Sequence, residues 1–226
     1  LLFLYAPTSD ITDDEKTIIE KYLSDGGKVY LILGDTTSDT PNLDGIMSDY
    51  GLKKVSGYIA DTQRCYQGNY YAIFPQLSLS GDLGSGISNQ MVLLLNSPGM
   101  EKTDTDNDNL TVTPFMQTSD SGYAVTENDQ TQGQYILGAV STNAISADSS
   151  DSDSEDEDDK SDATDTDTKT ARLTVLASAS MISSDITDQL TTLDNLTLFV
   201  NSVTENFDNV NNVAIEAKSL STETNT

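Results

Sequence analysis

The first 33 residues constrain the fold most, because they read as strand, helix and strand. Residues 1–6 are an apolar run without polar alternation, which is typical of a strand covered on both faces. Thr12 and Glu15 have the spacing of a helix capping box. Residues 29–33 are again apolar throughout. Together these signals predict two parallel strands joined by a right-handed helical crossover.

Further elements are predicted along the rest of the chain. Ile18, Ile19, Tyr22 and Leu23 recur at helical spacing and predict the apolar face of the first helix. Residues 66–86 lack a clear period, which predicts a loop with one strand at most. The later apolar runs predict helices over residues 43–50 and 193–203, and strands over residues 53–60, 91–95, 110–116, 122–125, 134–141, 173–177 and 210–215.

An acidic tract interrupts this pattern late in the chain. Residues 148–170 are rich in Ser, Asp, Thr and Glu and hold almost no apolar side chain. Such a composition cannot offset the entropy lost on ordering, so it predicts a disordered insert. Because predicted structure resumes after it, residues 1–226 are interpreted as one domain that carries this insert.

The charge balance restricts the partners of the chain. Its formal net charge is -26, and a field of this sign repels phosphate backbones and anionic lipid head groups. Nucleic acid is therefore not an expected partner. A cationic partner and simple solubility both remain compatible with this charge.

The chain lacks the residues that several kinds of catalytic and metal site require. The chain has no histidine and a single cysteine, Cys65, which removes Ser-His-Asp and Cys-His catalysis and Cys-based zinc or iron–sulfur sites. Asp104, Asp106 and Asp108 alternate as in a calcium loop, but glycine is missing at the sixth position and Phe115 replaces the bidentate glutamate. No catalytic residue, metal or cofactor is predicted.

Pro7, Thr8, Ser9, Gly34 and Asp35 are the candidate ligand-binding residues. They follow the first two strands, and the carboxyl ends of adjacent parallel strands are where ligands bind in open α/β sheets. The same residues also suit turns and helix caps, so both interpretations remain open.

Asn195 and Asn201, in the last predicted helix, are a second pair of polar residues with two interpretations. They suit either a binding role or structural hydrogen bonds.

Several segments resemble one known family in the order expected of it. Residues 5–16 read Tyr-Ala-Pro-Thr-Ser-Asp-Ile-Thr-Asp-Asp-Glu-Lys, and residues 22–35 run from Tyr-Leu through Gly-Gly to a strand ending in Gly-Asp. These segments resemble the GldG-like family, the auxiliary domains of ABC-type transport systems related to the gliding-motility ABC component. Further similar pieces are residues 43–52, 114–119, 172–180 and 195–201.

The resemblance implies a fold, a place and partners. The implied fold is an α/β three-layer sandwich with a mostly parallel sheet, like the class I glutamine-amidotransferase-like fold without its Cys-His pair, plus additional β-strands. The implied role is a non-enzymatic accessory domain on the extracytoplasmic side of the cell membrane, beside an ABC permease and ATPase. The sequence has no apolar run of about 18 residues and does not begin with Met. We therefore expect a fragment whose membrane helices lie outside it.

An enzymatic alternative stays open. The many carboxylates are compatible with a glycoside hydrolase acting on cell-surface glycans, although nothing in the sequence selects a pair. That alternative predicts two carboxyl groups roughly 5 to 9 Å apart in a cleft.

Overall fold

The computed structural model describes residues 1–34, 39–145 and 169–207. Their helices are α1 (Asp13–Ser24), α2 (Pro41–Asp49), α3 (Ser184–Thr187) and α4 (Asn195–Thr204), with 3-10 turns at Gly81–Gly84 and Ala179–Ile182. Their strands are β1 (Leu2–Tyr5), β2 (Lys28–Ile32), β3 (Leu52–Val55), β4 (Tyr58–Asp61), β5 (Cys65–Tyr66), β6 (Asn69–Ile73), β7 (Gln76–Leu77), β8 (Leu94–Leu95), β9 (Gly99–Lys102), β10 (Leu110–Gln117), β11 (Gly122–Val125), β12 (Gln130–Gly133), β13 (Ile136–Ile145) and β14 (Lys169–Leu176).

The main sheet is mixed. Its strand order is β1-β2-β14-β13-β10-β7, and β9 pairs with both β13 and β3. Strands β1, β2 and β14 are mutually parallel, whereas the other pairings in this sheet are antiparallel. Two three-stranded antiparallel sheets, β12-β11-β4 and β5-β6-β8, lie outside it.

Helix α1 begins where the sequence predicts. The Thr12 N–H donates to Glu15 Oε2 at 2.8 Å, and the Glu15 N–H donates to Thr12 Oγ1 at 3.2 Å, which completes the capping box. Ile19 and Leu23 are buried on the sheet side of the helix, with Leu2 packed against the same core. The predicted β1-α1-β2 unit with two parallel strands is therefore confirmed.

Helix α4 covers the opposite face of the same strands. Phe199 of α4 meets the Tyr30 ring edge-on at 6.0 Å, and the Tyr30 hydroxyl lies 2.6 Å from Ser202 Oγ in a buried contact. Side chains of neighbouring strand residues point to opposite faces. Since Tyr30 meets α4, Val29 and Leu31 point toward α1.

The predicted fold class is wrong. The chain is mostly β, with a mixed and mostly antiparallel main sheet and few helices, rather than a three-layer α/β sandwich with a mostly parallel sheet. The parallel crossover pattern ends after β2, because β3 pairs antiparallel with β9, and β10, β13 and β14 follow one another as antiparallel neighbours. These antiparallel pairings join strands that are distant in sequence, so they depend on tertiary packing and not on a local strand-helix-strand signal.

Individual elements also differ from the predictions. The strand predicted over residues 53–60 is two strands, since the chain turns at Gly57 with φ +83°. Strand β12 was not predicted, because Gln130–Gly133 is polar on both faces. Only Leu94–Leu95 of the run 91–95 pairs as a strand. Except for Lys169 and Thr170 in β14, the predicted insert over residues 148–170 lies outside the described residues, as does the predicted strand over residues 210–215.

The described part of the chain includes no helix long and apolar enough to cross a bilayer.

Candidate functional site

At the carboxyl ends of β1 and β2, two of the predicted ligand-binding residues lie in contact with each other. Pro7 and Gly34 lie against each other, and a Cβ atom added to Gly34 would stand 2.2 Å from the Pro7 carbonyl oxygen. Thr8 and Ser9 are exposed on the loop that follows Pro7. Asp35 lies outside the described residues. The structure thus brings Pro7 and Gly34 together and leaves the side chains of Thr8 and Ser9 exposed beside them.

The same loop is fastened to helix α2. The Asp10 carboxylate accepts hydrogen bonds from the backbone N–H groups of Asn42, at 2.9 Å, and Leu43, at 3.1 Å. The Asn42 side chain returns a bond to the Ile11 carbonyl oxygen at 2.8 Å. Asp10 therefore caps α2 from a distant part of the sequence, which is a structural role.

The cavity next to Gly34 is very small. Pro7, Gly34, Thr40, Asp44 and Lys54 contribute to its lining. Lys54 Nζ donates to Thr40 Oγ1 at 3.1 Å and lies 3.8 Å from Asp44 Oδ1. The volume is about 10 Å³, which is room for about one water molecule.

The most enclosed carboxylate belongs to Asp61, at the end of β4. It is 0% exposed and accepts hydrogen bonds from the backbone N–H groups of Gln63, Arg64 and Ser119 and from the Ser119 hydroxyl. Burial by itself raises the pKa of the Asp61 carboxyl, but these four bonds outweigh it and lower the pKa below its ordinary value. A carboxylate held this way is a poor proton donor and joins β4 to the loop before β11.

One open cleft among the described residues presents a single carboxyl group. An open cleft of about 520 Å³ is lined by Tyr58, Tyr71 and Asn96, among others, and Glu127 is the acidic residue of that lining. Glycoside hydrolysis needs two carboxyl groups across one cleft. Among the described residues, no group of three or more His, Cys, Asp or Glu side chains is placed to hold a metal ion.

Exposed apolar side chains lie on strand β1 and on the helices α1 and α4, which cover its two faces. Tyr5 of β1 is 56% exposed and Ile18 of α1 is 68% exposed, while Leu196 and Val200 of α4 are 51% and 49% exposed. We call these exposed residues of β1, α1 and the α4 segment together the β1 edge surface: Phe3, Tyr5, Ile18, Tyr22, Leu196, Val200 and Phe207. Exposed apolar residues gathered in this way mark interaction sites more often than scattered ones do.

Aromatic packing holds Phe3 of the β1 edge surface in place. Phe3 stacks on the buried Tyr30 with ring centroids 5.1 Å apart, and Phe199 meets the Phe3 ring edge-on at 6.4 Å. These contacts leave Phe3 39% exposed, so its ring is held in place while part of it faces solvent. A pre-positioned aromatic side chain of this kind costs little entropy when it binds.

Helix α1 forms the other flank. Ile18 and Tyr22 are one helical turn apart and, with Leu1, Leu2 and Ile19, line an open groove of about 340 Å³. The sequence predicted Ile18 and Tyr22 on the apolar face of α1 with Ile19 and Leu23. The structure buries Ile19 and Leu23 and leaves Ile18 and Tyr22 exposed. The wide apolar stripe of α1 was the sequence signal for this surface.

The two asparagines of α4 have structural roles. Asn195 Oδ1 accepts from the Leu93 N–H, and its Nδ2 donates to the carbonyl oxygens of Leu93 and Met181, each at 2.9 Å. Asn201 Nδ2 donates to the carbonyl oxygens of Leu83 and Ser85. These bonds satisfy loop backbone that has no strand partner there, which also explains why residues 91–93 are not paired as a strand.

Comparison with known proteins gives the fold alone. No protein-family profile matches the chain, and no curated protein matches it. Among solved structures, the chain is similar to one described as "mmIFT52 N-terminal domain", with a TM-score of 0.56 and 13% sequence identity. The match covers 93% of this chain and 80% of that one. The chain therefore shares its overall fold with the IFT52 N-terminal domain.

Proposed function

We propose that this chain is a non-enzymatic binding or scaffolding domain, and that it serves an ABC transporter system on the extracytoplasmic side of the membrane. The observation that carries the binding role is the β1 edge surface. The transporter context comes from the resemblance of residues 5–16 and 22–35 to the GldG-like auxiliary domains.

The distribution of polar and apolar groups supports a binding role. At the carboxyl ends of β1 and β2, Pro7 contacts Gly34 and the Asp10 carboxylate caps α2. The buried Asp61 carboxylate is fully engaged in structural bonds. Exposed apolar groups, by contrast, flank β1 on both helices. A protein partner that covers these groups would gain about 25 cal/mol for each Å² of apolar surface buried, before the costs of association.

The test is photo-crosslinking of the intact gene product in its native membrane. A photo-reactive residue is placed at Ile18 or at Val200, and at Thr111 as a matched control, because Thr111 is exposed on β10 away from β1. Crosslinks from Ile18 and Val200 to an ABC permease, with none from Thr111, are the expected result. Recovery of the protein without any transporter subunit would contradict the proposal, and so would cleavage of a glycan by the purified protein.

Charge substitution provides the matched functional test. Ile18→Glu with Val200→Glu places unpaired charges where apolar contact is proposed, and Thr111→Glu adds a charge elsewhere. We expect the double variant to lower co-purification of the permease by about tenfold or more, which corresponds to about 1.4 kcal/mol of binding energy. The Thr111→Glu protein should behave like the parent. Equal recovery from both variants would exclude the β1 edge surface as the contact.

A further inference from the structure

We propose that the β1 edge surface binds an extended segment of its protein partner, which adds to β1 as a parallel strand and carries basic residues directly after an apolar stretch. This inference rests on the proposed binding function and specifies its partner. Four observations carry it: the free edge of β1, the two apolar flanks, the charge at one end of the strand, and the pairing of the cations at the other end.

The outer edge of β1 has backbone N–H and C=O groups that can pair with an added strand. Ala6 donates its N–H to the Ile32 carbonyl oxygen at 3.0 Å, so Ala6, Leu4 and Leu2 direct their backbone groups toward β2. Backbone groups of successive strand residues point alternately to the two sides. Those of Phe3 and Tyr5 therefore point to the open side, where the described residues supply no pairing strand.

These edge groups favour a strand over a helix as the occupant. A helix laid across the surface would cover the apolar side chains but would strip water from the edge N–H and C=O groups without replacing their hydrogen bonds. Each buried unsatisfied backbone group is costly. An extended segment satisfies the same groups, as in β-strand addition to exposed sheet edges.

The two apolar flanks match the alternation of a strand. On one face, Ile18 and Tyr22 line the groove next to β1. On the other face, Phe3 and Phe199 are in contact, and the exposed Val200 follows Phe199. A strand added beside β1 sends successive side chains to opposite faces. Apolar residues throughout the partner segment would meet α1 on one face and α4 on the other.

The distribution of charge around β1 sets the expected direction of the partner strand. Asp13, Asp14 and Glu15 open α1 and lie at the carboxyl end of β1, whereas the exposed side chains of the β1 edge surface are uncharged. In a parallel arrangement the carboxyl end of the partner strand reaches these acids. Basic residues directly after its apolar stretch would pair with them, and the net charge of -26 attracts a basic segment over longer distances.

Two of the cations near the amino end of the parallel strands lie in ion pairs. Lys21 lies 3.0 Å from Asp25, and Arg172 is bonded to Glu205. A second copy paired antiparallel on β1 would bring its acids to this end, beside the carboxylates of Asp25 and Glu205. Two chains of net charge -26 also repel each other. A basic partner segment is therefore the better occupant.

The first experiment measures binding of synthetic peptides to the purified chain by calorimetry. The probe is the peptide Val-Thr-Val-Ile-Val-Lys-Lys, compared with Lys-Lys-Val-Thr-Val-Ile-Val and Val-Thr-Val-Ile-Val-Glu-Glu. We expect the first peptide to bind about tenfold more tightly than either control in low salt, with the difference shrinking in high salt. Equal binding of the first two peptides would overturn the parallel orientation. Binding of the glutamate peptide at the same affinity would overturn the charge argument.

The second experiment uses a matched pair of variants at Tyr5, whose N–H points to the open side. Tyr5→Pro removes that donor, and Tyr5→Thr keeps it while removing the ring. We expect Tyr5→Pro to weaken binding of the lysine peptide about tenfold relative to Tyr5→Thr. Thermal unfolding of both variants without peptide establishes that they fold. Equal peptide binding by the two folded variants would overturn strand addition.

Two outcomes separate the partner from the proposed function. If Tyr5→Pro leaves permease co-purification unchanged while Ile18→Glu with Val200→Glu abolishes it, the binding function stands and strand addition fails. If the lysine peptide binds as expected but native membranes yield no transporter subunit, strand addition stands and the transporter role fails. Concentration-dependent dimerisation that Tyr5→Pro abolishes would assign the edge to a second copy and overturn the inference.

Discussion

The Asp61 carboxylate accepts two hydrogen bonds from Ser119, one from the backbone N–H at 2.7 Å and one from the hydroxyl at 2.8 Å. The two residues are far apart in sequence, and both are fully buried. This contact holds the end of β4 against the loop that precedes β11. We therefore expect the stability of the small β12-β11-β4 sheet to depend on the charge of Asp61.

The first prediction concerns Asp61→Asn. An asparagine amide would face the Ser119 N–H with a donor instead of an acceptor, leaving a buried N–H unsatisfied. We expect a loss of about 1 to 3 kcal/mol in the free energy of unfolding at neutral pH, measured by urea denaturation. Ser119→Ala, which removes only the hydroxyl bond, should cost about 1 kcal/mol. A neutral Asp61→Asn substitution would contradict the role assigned to this carboxylate.

The pH dependence of this effect has a definite sign. The folded pKa of Asp61 lies below its ordinary value of 3.8, so the carboxylate stabilises the fold fully at pH values well above 3.8. That contribution is lost as the pH falls through the folded pKa. The stability difference between the parent and Asp61→Asn should therefore shrink on going from about pH 6 to about pH 3. A difference that grows over this range would contradict the assignment.

The second prediction concerns Gly34→Ala at the carboxyl end of β2. The added methyl group would meet the Pro7 carbonyl oxygen at 2.2 Å and the Ala6 carbonyl carbon at 2.9 Å, both of which are backbone atoms. We expect a loss of about 1 to 3 kcal/mol because the two loops must separate. Gly84→Ala is the control, since its methyl group would meet Leu79 at an ordinary 3.6 Å. Equal unfolding temperatures for the two variants would contradict the close contact.

The third prediction separates structural from ligand-binding roles in the loop after β1. Asp10→Ala removes the cap of α2 and should cost about 1 kcal/mol of unfolding free energy. Thr8→Ala and Ser9→Ala alter exposed side chains and should each change it by less than about 0.5 kcal/mol. Chemical denaturation of the three variants provides the comparison. A larger loss from Thr8→Ala than from Asp10→Ala would contradict the assigned cap.

The fourth prediction concerns Asn195→Ala in α4. The substitution leaves the Leu93 N–H and the carbonyl oxygens of Leu93 and Met181 without their partner in a buried position. We expect a loss of about 3 kcal/mol or more. Asn89→Ala is the matched control, because its side chain makes one exposed bond to the Thr192 carbonyl oxygen. A control loss as large as that of Asn195→Ala would contradict the role of burial.

The β1-α1-β2 unit was predicted from local sequence signals, whereas the rest of the main sheet was not. The capping box of Thr12 and Glu15 and the apolar runs on either side of α1 are local signals, and the structure confirms the strand, helix and strand they predict. The resemblance to the GldG-like family extended the parallel pattern to the whole chain, and that expectation was wrong. The antiparallel placement of β13 between β14 and β10 depends on pairings between residues distant in sequence, for which a strand's own composition holds little information.

The candidate site was likewise predicted only in part from the sequence. Pro7 and Gly34 were expected near each other because parallel neighbours end at the same edge, and they line one cavity. Their contact with each other and the Asp10 cap on α2 depend on how the loops pack, which the residue types alone do not reveal. The β1 edge surface was not predicted either, because Ile18 and Ile19 have the same apolar character and differ only in what covers them.

The sequence by itself determined the βαβ opening, the capping box of α1, the strongly acidic character and the lack of histidine, because each follows from local spacing or from composition. Only the tertiary structure decided the strand order, the burial of Asp61 and the exposure of Phe3, Tyr5 and Ile18. These features depend on which distant segments pack together. That choice minimises the free energy of the whole chain and is not encoded in any single segment.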